Sequence, residues 1–184
     1  MQGLLVMSDP TRDAGAKGRS APAPRALDAQ FKAAMRRLAA GVALITTTHE
    51  GRRYGMTATA VSSLTADPPA LTISINRSAS IYGPLMARGE FCVNLLRDSH
   101  LELCRSFSGA SATDRFQHGV WRDHAQGLPY LVDSQAAIIC RMGPSLTFAT
   151  HTVFVGEVQS IVLDDEVAPL IYLDGDYCVA KRRP

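Results

Sequence analysis

Apolar residues at helical spacing open the patterned part of the chain. Leu27, Phe31, Met35 and Leu38 fall on one side, and Lys32, Arg36 and Arg37 on the other. That spacing predicts an amphipathic helix, and Gly41 is placed to end it. The period then shortens. Residues 42–48 are β-branched and apolar and read as a strand, His49-Glu50-Gly51-Arg52 as a turn, and residues 53–64 as the returning strand of a hairpin. Ala66-Asp67-Pro68-Pro69 breaks the pattern, because proline cannot donate to a ladder, and residues 71–76 resume as a third strand. Ser78 or Ser80 is expected to cap a short helix through Met86, limited by Gly83-Pro84. A strand follows at residues 90–96, then a helix at 99–107 with Asp98 as its N-cap. Residues 108–128 read as loop, with Trp121 as a packing anchor. Further strands are expected at 136–142, 150–163, 169–173 and 177–180. Many short strands and few helices predict a mostly β barrel or sandwich, not alternating βαβ units.

Composition adds boundaries to this picture. The 184 residues suit one domain with a proper core, and the 46% hydrophobic and 20% charged content is ordinary for a globular protein. The net charge is +2, and it resides in residues 1–26, which carry four basic and two acidic residues. Residues 27–184 are balanced, so no basic face is required and a nucleic-acid partner is not expected. Residues 1–26 are rich in Ala, Gly, Pro, Ser and Arg without apolar periodicity, and read as a disordered extension ahead of a single domain over residues 27–184. No signal peptide or membrane span is expected, because no apolar run reaches the length of either. Cys92, Cys104, Cys140 and Cys178 lie far apart with no C-x-x-C pair, which favours reduced, buried thiols in a cytoplasmic protein. The five histidines show no metal-ligand spacing, so no metal is expected.

Candidate chemistry concentrates in Tyr54-Gly55-Met56-Thr57-Ala58-Thr59-Ala60-Val61-Ser62-Ser63-Leu64-Thr65-Ala66-Asp67-Pro68-Pro69. Small side chains along a strand leave backbone N–H groups open to a flat polar ring or a phosphate. G-x-G-x-x-G, G-x-x-x-x-G-K-[ST], H-E-x-x-H and G-x-S-x-G are all missing. A nucleotide would therefore be held by loops and strand edges.

The segment resembles the cofactor-binding stretch of the short-chain flavin reductases, and further matches follow in order from Phe31 to Tyr177. Residues 31–48 resemble the family's opening helix and first strand, and Phe91-Cys92-Val93-Asn94-Leu95-Leu96 resembles its F-x-V-N-x-L strand. Phe107-Ser108-Gly109, Arg115-Phe116, Gly127-Leu128-Pro129-Tyr130-Leu131 and His151-Thr152-Val153-Phe154-Val155-Gly156-Glu157-Val158 complete the series. Thr59-Ala60 stands where relatives commonly carry Asn-Ser, and Thr150 where an acidic residue is common.

The resemblance implies a split β-barrel of Greek-key type, a homodimer with flavin near the subunit interface. NADH or NADPH would reduce FMN or FAD, and the reduced flavin would pass to a flavin-dependent monooxygenase. On this reading Met56, Thr57, Ala58, Thr59 and Ala60 lie along the flavin. Ser62 and Ser63 offer hydroxyls to its phosphate, with Asn76, Arg77, Ser78 and Ser80 beside them. Phe107, Ser108 and Gly109 close over the flavin, and His151 lines the nicotinamide pocket as the expected catalytic residue. Two alternatives stay open: a flavoprotein that retains its flavin, and a non-enzymatic flavin- or heme-binding split-barrel protein.

Overall fold

The computed structural model describes residues 24–109 and 115–181. Helix α1 (Pro24–Met35) leads to a two-residue strand β1 (Ala40–Gly41), then to β2 (Ala43–His49) and β3 (Arg52–Ala58). Glu50 and Gly51 both take positive φ between them, 49° and 71°, the backbone of the tight turn whose twist matches paired strands. After β4 (Val61–Ala66) and β5 (Pro69–Asn76) come α2 (Tyr82–Arg88), β6 (Glu90–Leu95), a 3-10 turn at Asp98–His100 and α3 (Leu101–Gly109). A hairpin of β7 (Trp121–Asp123) and β8 (Pro129–Leu131) precedes the long strands β9 (Ala136–Phe148) and β10 (His151–Leu163). The chain closes with β11 (Leu170–Leu173) and β12 (Asp176–Val179).

Seven strands form one sheet in the order β3-β2-β6-β9-β10-β5-β4. Its two edge strands are consecutive in the chain, joined only by Thr59 and Ala60. Met56 and Ala58 of β3 and Val61 of β4 nevertheless pack on the same apolar core as Ile45, Ile73, Phe91 and Phe154. The sheet has therefore curled until its edges share one interior without pairing, which is the expected split barrel, open along a β3/β4 seam. Leu44 turns the other way, into a second cluster with Leu103, Cys104 and Phe107 of α3, and with Leu170. Burial on both faces explains why β2 does not alternate, its apolar start giving way to Thr46 and Thr47, whose buried hydroxyls donate to the carbonyls of Pro129 and Glu90. In β9, Gly143 and Pro144 fall at a bulge, where the pairing with β10 slips between Phe154 and Gly156. A proline is tolerated there because the bulge leaves that position out of the ladder.

Several expectations need correction. The strand expected over residues 53–64 is two strands, because the chain crosses from one sheet edge to the other at Thr59-Ala60. Gly41 does not end α1, which stops at Met35, but pairs with Ile171 in β1. Neither Ser78 nor Ser80 caps α2. Its N-cap is Ile81, without a side-chain cap, and Pro84 is accommodated in the first helical turn. Asp98 lies inside the 3-10 turn rather than at its N-cap, which is Arg97. The stretch expected as loop over residues 108–128 contains β7, which pairs with β8 just beyond it. Cys178 is exposed, whereas Cys92, Cys104 and Cys140 are buried, and all four are free. The disordered extension expected over residues 1–26 lies outside the described residues up to residue 23, and α1 begins three residues before Leu27.

One buried cation anchors the loops at the far end of the molecule. Arg97, 9% exposed, holds Asp164 at 2.5 Å and Glu166 at 2.6 Å and donates from Nε to the carbonyl of Asp133 at 2.7 Å. The backbone N–H of Glu166, with Arg97 second, keeps the Asp164 carboxyl below the usual carboxylate range.

Candidate functional site

Which backbone groups face the seam follows from strand geometry. Val42 O accepts from Leu96 N at 2.9 Å, on the β6 side. Successive residues of a strand bond to opposite neighbours, so Ala43, Ile45 and Thr47 face β3. Their register partners Ala58, Met56 and Tyr54 face back toward β2. Arg53, Gly55 and Thr57 are left to direct their N–H and C=O groups into the seam, and Gly55 O accepts there from Arg115 Nη1 at 3.2 Å. Across the gap, Ser74 N donates to Ala60 O at 3.1 Å, and Ser62 stands opposite Thr72. The backbone of Ser62 is thereby turned to β5, and that of Val61 and Ser63 to the seam. A row of fixed N–H donors beside small side chains is what a planar ring with carbonyl oxygens requires.

The expected cofactor residues divide among several places. Met56 and Ala58 pack against the barrel core. Thr57 turns outward, and Thr57, Ala58 and Thr59 line a cavity of about 240 Å³ with Val42, Tyr172 and Tyr177. The two tyrosines are cross-strand partners in the β11–β12 hairpin, with ring centroids 5.4 Å apart, and Cys104 Sγ donates to Tyr177 Oη at 3.2 Å. Sequence reasoning did not single out Val42, Tyr172 or Tyr177. The usable signal was two tyrosines set symmetrically about the Asp174-Gly175 turn.

Asn76, Arg77, Ser78 and His151 do come together, at the open end of β5 and β10. His151 is the register partner of Asn76, and Arg77 N donates to Thr150 O at 2.9 Å. Asn76 Oδ1 accepts from Ser78 N at 3.0 Å and from Ser78 Oγ at 2.9 Å. Thr150 Oγ1 lies 2.9 Å from His151 Nδ1, so the residue standing where an acid is common still orients the imidazole. The ring is exposed on the outer face, which it shares with Phe148 and with Val153 and its partner Leu146.

Ser62 lies on that same outer face, opposite Thr72. Thr72 is four residues from Asn76, about 13 Å along the strand. One phosphate therefore cannot engage both Ser62 and the Asn76–Ser78 turn, although a ligand of nucleotide length spans them. Ser63, opposite Leu71, points to the other face, so the two serine hydroxyls do not act as a pair. Ser80 stands apart, in a smaller pocket with Arg52, Arg53 and Arg115. Phe107 is buried at the end of α3, edge-on to Phe116 at 5.3 Å and 6.0 Å from Trp121, which is the packing anchor it was expected to be. Ser108 and Gly109 are the last two residues of that helix.

A larger cavity, about 920 Å³, lies around the β2–β3 turn and the end of α2, and contains none of the expected residues. Its arginines are self-neutralised: Arg53 by Asp123 at 2.8 Å, Arg88 by Glu90 at 3.0 Å and Arg141 by Glu157 at 2.5 Å. Thiol chemistry in the barrel wall is suppressed as well. Burial lifts the Cys92 thiol far above the ordinary range and pushes Cys140 up to about 12. Among the described residues no group of three or more His, Cys, Asp or Glu side chains is placed to hold a metal.

Residues 35–181 match the family described as flavin reductase like domain. The reductase component of an FADH2-dependent resorcinol hydroxylase from a Rhizobium species is 38% identical over 162 residues, covering 86% of this chain and 90% of that protein. An NADH-dependent FMN reductase of Variovorax paradoxus is 40% identical over 150 residues, covering 81% and 83%. Among solved structures, a flavin reductase domain protein from an Arthrobacter species superposes with a TM-score of 0.79 at 32% identity, over 85% of this chain and 98% of that one.

Proposed function

The chain belongs to the flavin reductase-like family, and we infer from that membership that it is an NAD(P)H-dependent flavin reductase supplying reduced flavin to a monooxygenase. The observation that carries the reading is the series of family motifs folded around one seam, with Thr57 on the β3 edge, Thr59 in the β3–β4 crossing and His151 on β10, two strands in from the β4 edge. The donors of the seam fit a flavin: fixed backbone N–H groups, small hydroxyl side chains and the aromatic walls Tyr172 and Tyr177. When bound, flavin supplies the two-electron acceptor for the nicotinamide.

Everything else required of the protein is placement. Transfer between two bound rings needs no side-chain acid or base, and holding reactants in register supplies several kcal/mol of the barrier, up to about 7–11 in the best-oriented systems. Thr57 and Gly55 orient the flavin edge through the backbone, Ser62 or the Asn76–Ser78 turn takes a phosphate, and His151 positions the nicotinamide from the outer face. FMN and FAD both appear among the relatives' activities, and the open cavity by Tyr172 is compatible with release of either.

A second copy of the chain is the proposed partner for the exposed apolar residues. Phe148 is 83% exposed and Leu146 69%, both on the face that carries His151. Leu27, Phe31, Met35 and Leu38 of the α1 region form another uncovered stripe. Homodimerisation would cover these patches and wall the site. A cytoplasmic setting suits the four free thiols. No helix among the described residues is long and apolar enough to cross a membrane.

Three substitutions test the site. Ser62→Ala is expected to weaken flavin binding about tenfold, the loss of a hydrogen bond to a charged group, while Ser63→Ala stays within twofold. Flavin fluorescence titration measures both, and the reverse order would place the ligand on the inner face. His151→Ala is expected to raise the KM for NADH about tenfold with flavin affinity unchanged within twofold, since it removes binding rather than chemistry. Stopped-flow reduction at several NADH concentrations separates the two, and normal saturation would return His151 to a structural role.

A further inference from the structure

The pocket that takes Ser80 away from the other expected phosphate residues has its own chemistry. It is about 40 Å³, lined by Arg52, Arg53, Arg115 and Ser80 together with Tyr54 and Phe116. One water needs at least about 10–15 Å³ of such space, so the pocket takes a small polar group and excludes a ring. Arg53 is engaged by both oxygens of Asp123 at 2.8 Å and lies 6.0 Å over Phe116. Arg52 makes no ion pair among the described residues, and its guanidinium sits 5.9 Å over Tyr54. Arg115 is tied to the seam through Gly55 O. The aromatic faces thus hold two guanidinium groups in place, and the seam-facing N–H groups of Arg53 and Gly55 lie beside them. The Arg52 fork, the Ser80 hydroxyl and the backbone N–H groups together make a donor set for a tetrahedral oxyanion, with Arg53 held to Asp123 at its side.

We propose that this pocket binds a phosphate group of a nucleotide substrate, with Arg52 as the residue that decides which nucleotide is preferred. The proposal rests on the flavin reductase reading. Arg53 is four residues from Thr57, about 13 Å along β3. That separation suits a nucleotide whose ring lies at Thr57–Thr59 and whose phosphate lies at the arginines. The group could come from the nicotinamide dinucleotide or from the flavin nucleotide, and one set of measurements tells them apart.

Arg52→Ala and Ser80→Ala are compared with wild type in KM for NADH, NADPH, FMN and riboflavin at low and high salt. Arg52→Ala is expected to raise KM five- to twentyfold at low salt for every substrate whose phosphate occupies the pocket, with kcat retained. The effect should shrink at high salt, as screening requires. A rise for NADPH alone assigns the 2′-phosphate, a rise for both nicotinamides the pyrophosphate, and a rise for FMN but not riboflavin the flavin phosphate. All four values within twofold of wild type at low salt would overturn the proposal and leave the arginines as a solvated face. Calorimetric titration with inorganic pyrophosphate keeps the pocket testable even if the wild type fails to oxidise NADH. Binding lost in Arg52→Ala supports it, and no binding to either protein rejects it.

Discussion

Gly55→Ala is expected to lower flavin-dependent turnover more than tenfold in a chain that still folds. An added Cβ would lie 2.6 Å from Cε1 of Phe107 and 3.2 Å from Cζ of Phe116, so both rings must move. Phe107 is 3% exposed, at the end of α3 just before Ser108 and Gly109, and cannot yield without shifting that helix end. Overpacking of this kind costs about 1–3 kcal/mol of stability. The functional loss is larger because Gly55 is also a seam residue between Arg53 and Thr57, and a misplacement of about 1 Å near reacting groups costs up to a hundredfold. Steady-state kcat/KM for flavin, read beside urea unfolding, decides the matter. Reduced stability with unchanged turnover would mean that Phe107 is scaffold and that the seam does not position the flavin.

The second large effect is structural. Phe154→Ala is expected to destabilise the fold by about 3–5 kcal/mol, as truncations of fully buried aromatic residues do. Phe154 is 0% exposed, stands opposite Ile73 in the ladder and packs at 5.9 Å against Tyr82. It sits where β10, β5 and α2 meet, so no neighbour on a flexible loop can collapse into the space. Phe154→Leu keeps more volume and should cost less than half as much. Urea unfolding with an unchanged m-value checks both, and a loss below 1 kcal/mol for the alanine variant would contradict the assigned interior.

The barrel was legible where one residue type answers one physical demand. The β-branched run beginning at Val42 announces a strand buried on both faces, and Pro68-Pro69 a forced interruption. The break at Thr59-Ala60 was not legible, because alternation of small and apolar residues continues through it. Nothing local distinguishes a strand that bends from one that changes edge, and only the long-range pairing of Ser74 with Ala60 reveals the difference. The short β7–β8 hairpin escaped notice because three-residue strands carry no measurable period, and its stability comes from the Trp121, Phe116 and Phe107 cluster.

The sequence offered candidate residues without their grouping. His151 and Asn76 are far apart in sequence, and the ladder makes them neighbours. Ser62 and Ser63 are adjacent in sequence, and the pleat sends them to opposite faces. Tyr172 and Tyr177 come from the last hairpin, and only folding brings them beside Thr57. A motif names which residues are available, whereas register decides which can act on one ligand.

NADH oxidation followed by absorbance, with and without added free flavin, tests the central claim most directly. Purified protein stripped of flavin is expected to be inactive alone. It should turn over NADH on addition of FMN or FAD and leave reduced flavin that reacts with oxygen outside the protein. Stable flavin binding with no nicotinamide oxidation under any flavin supply would contradict it.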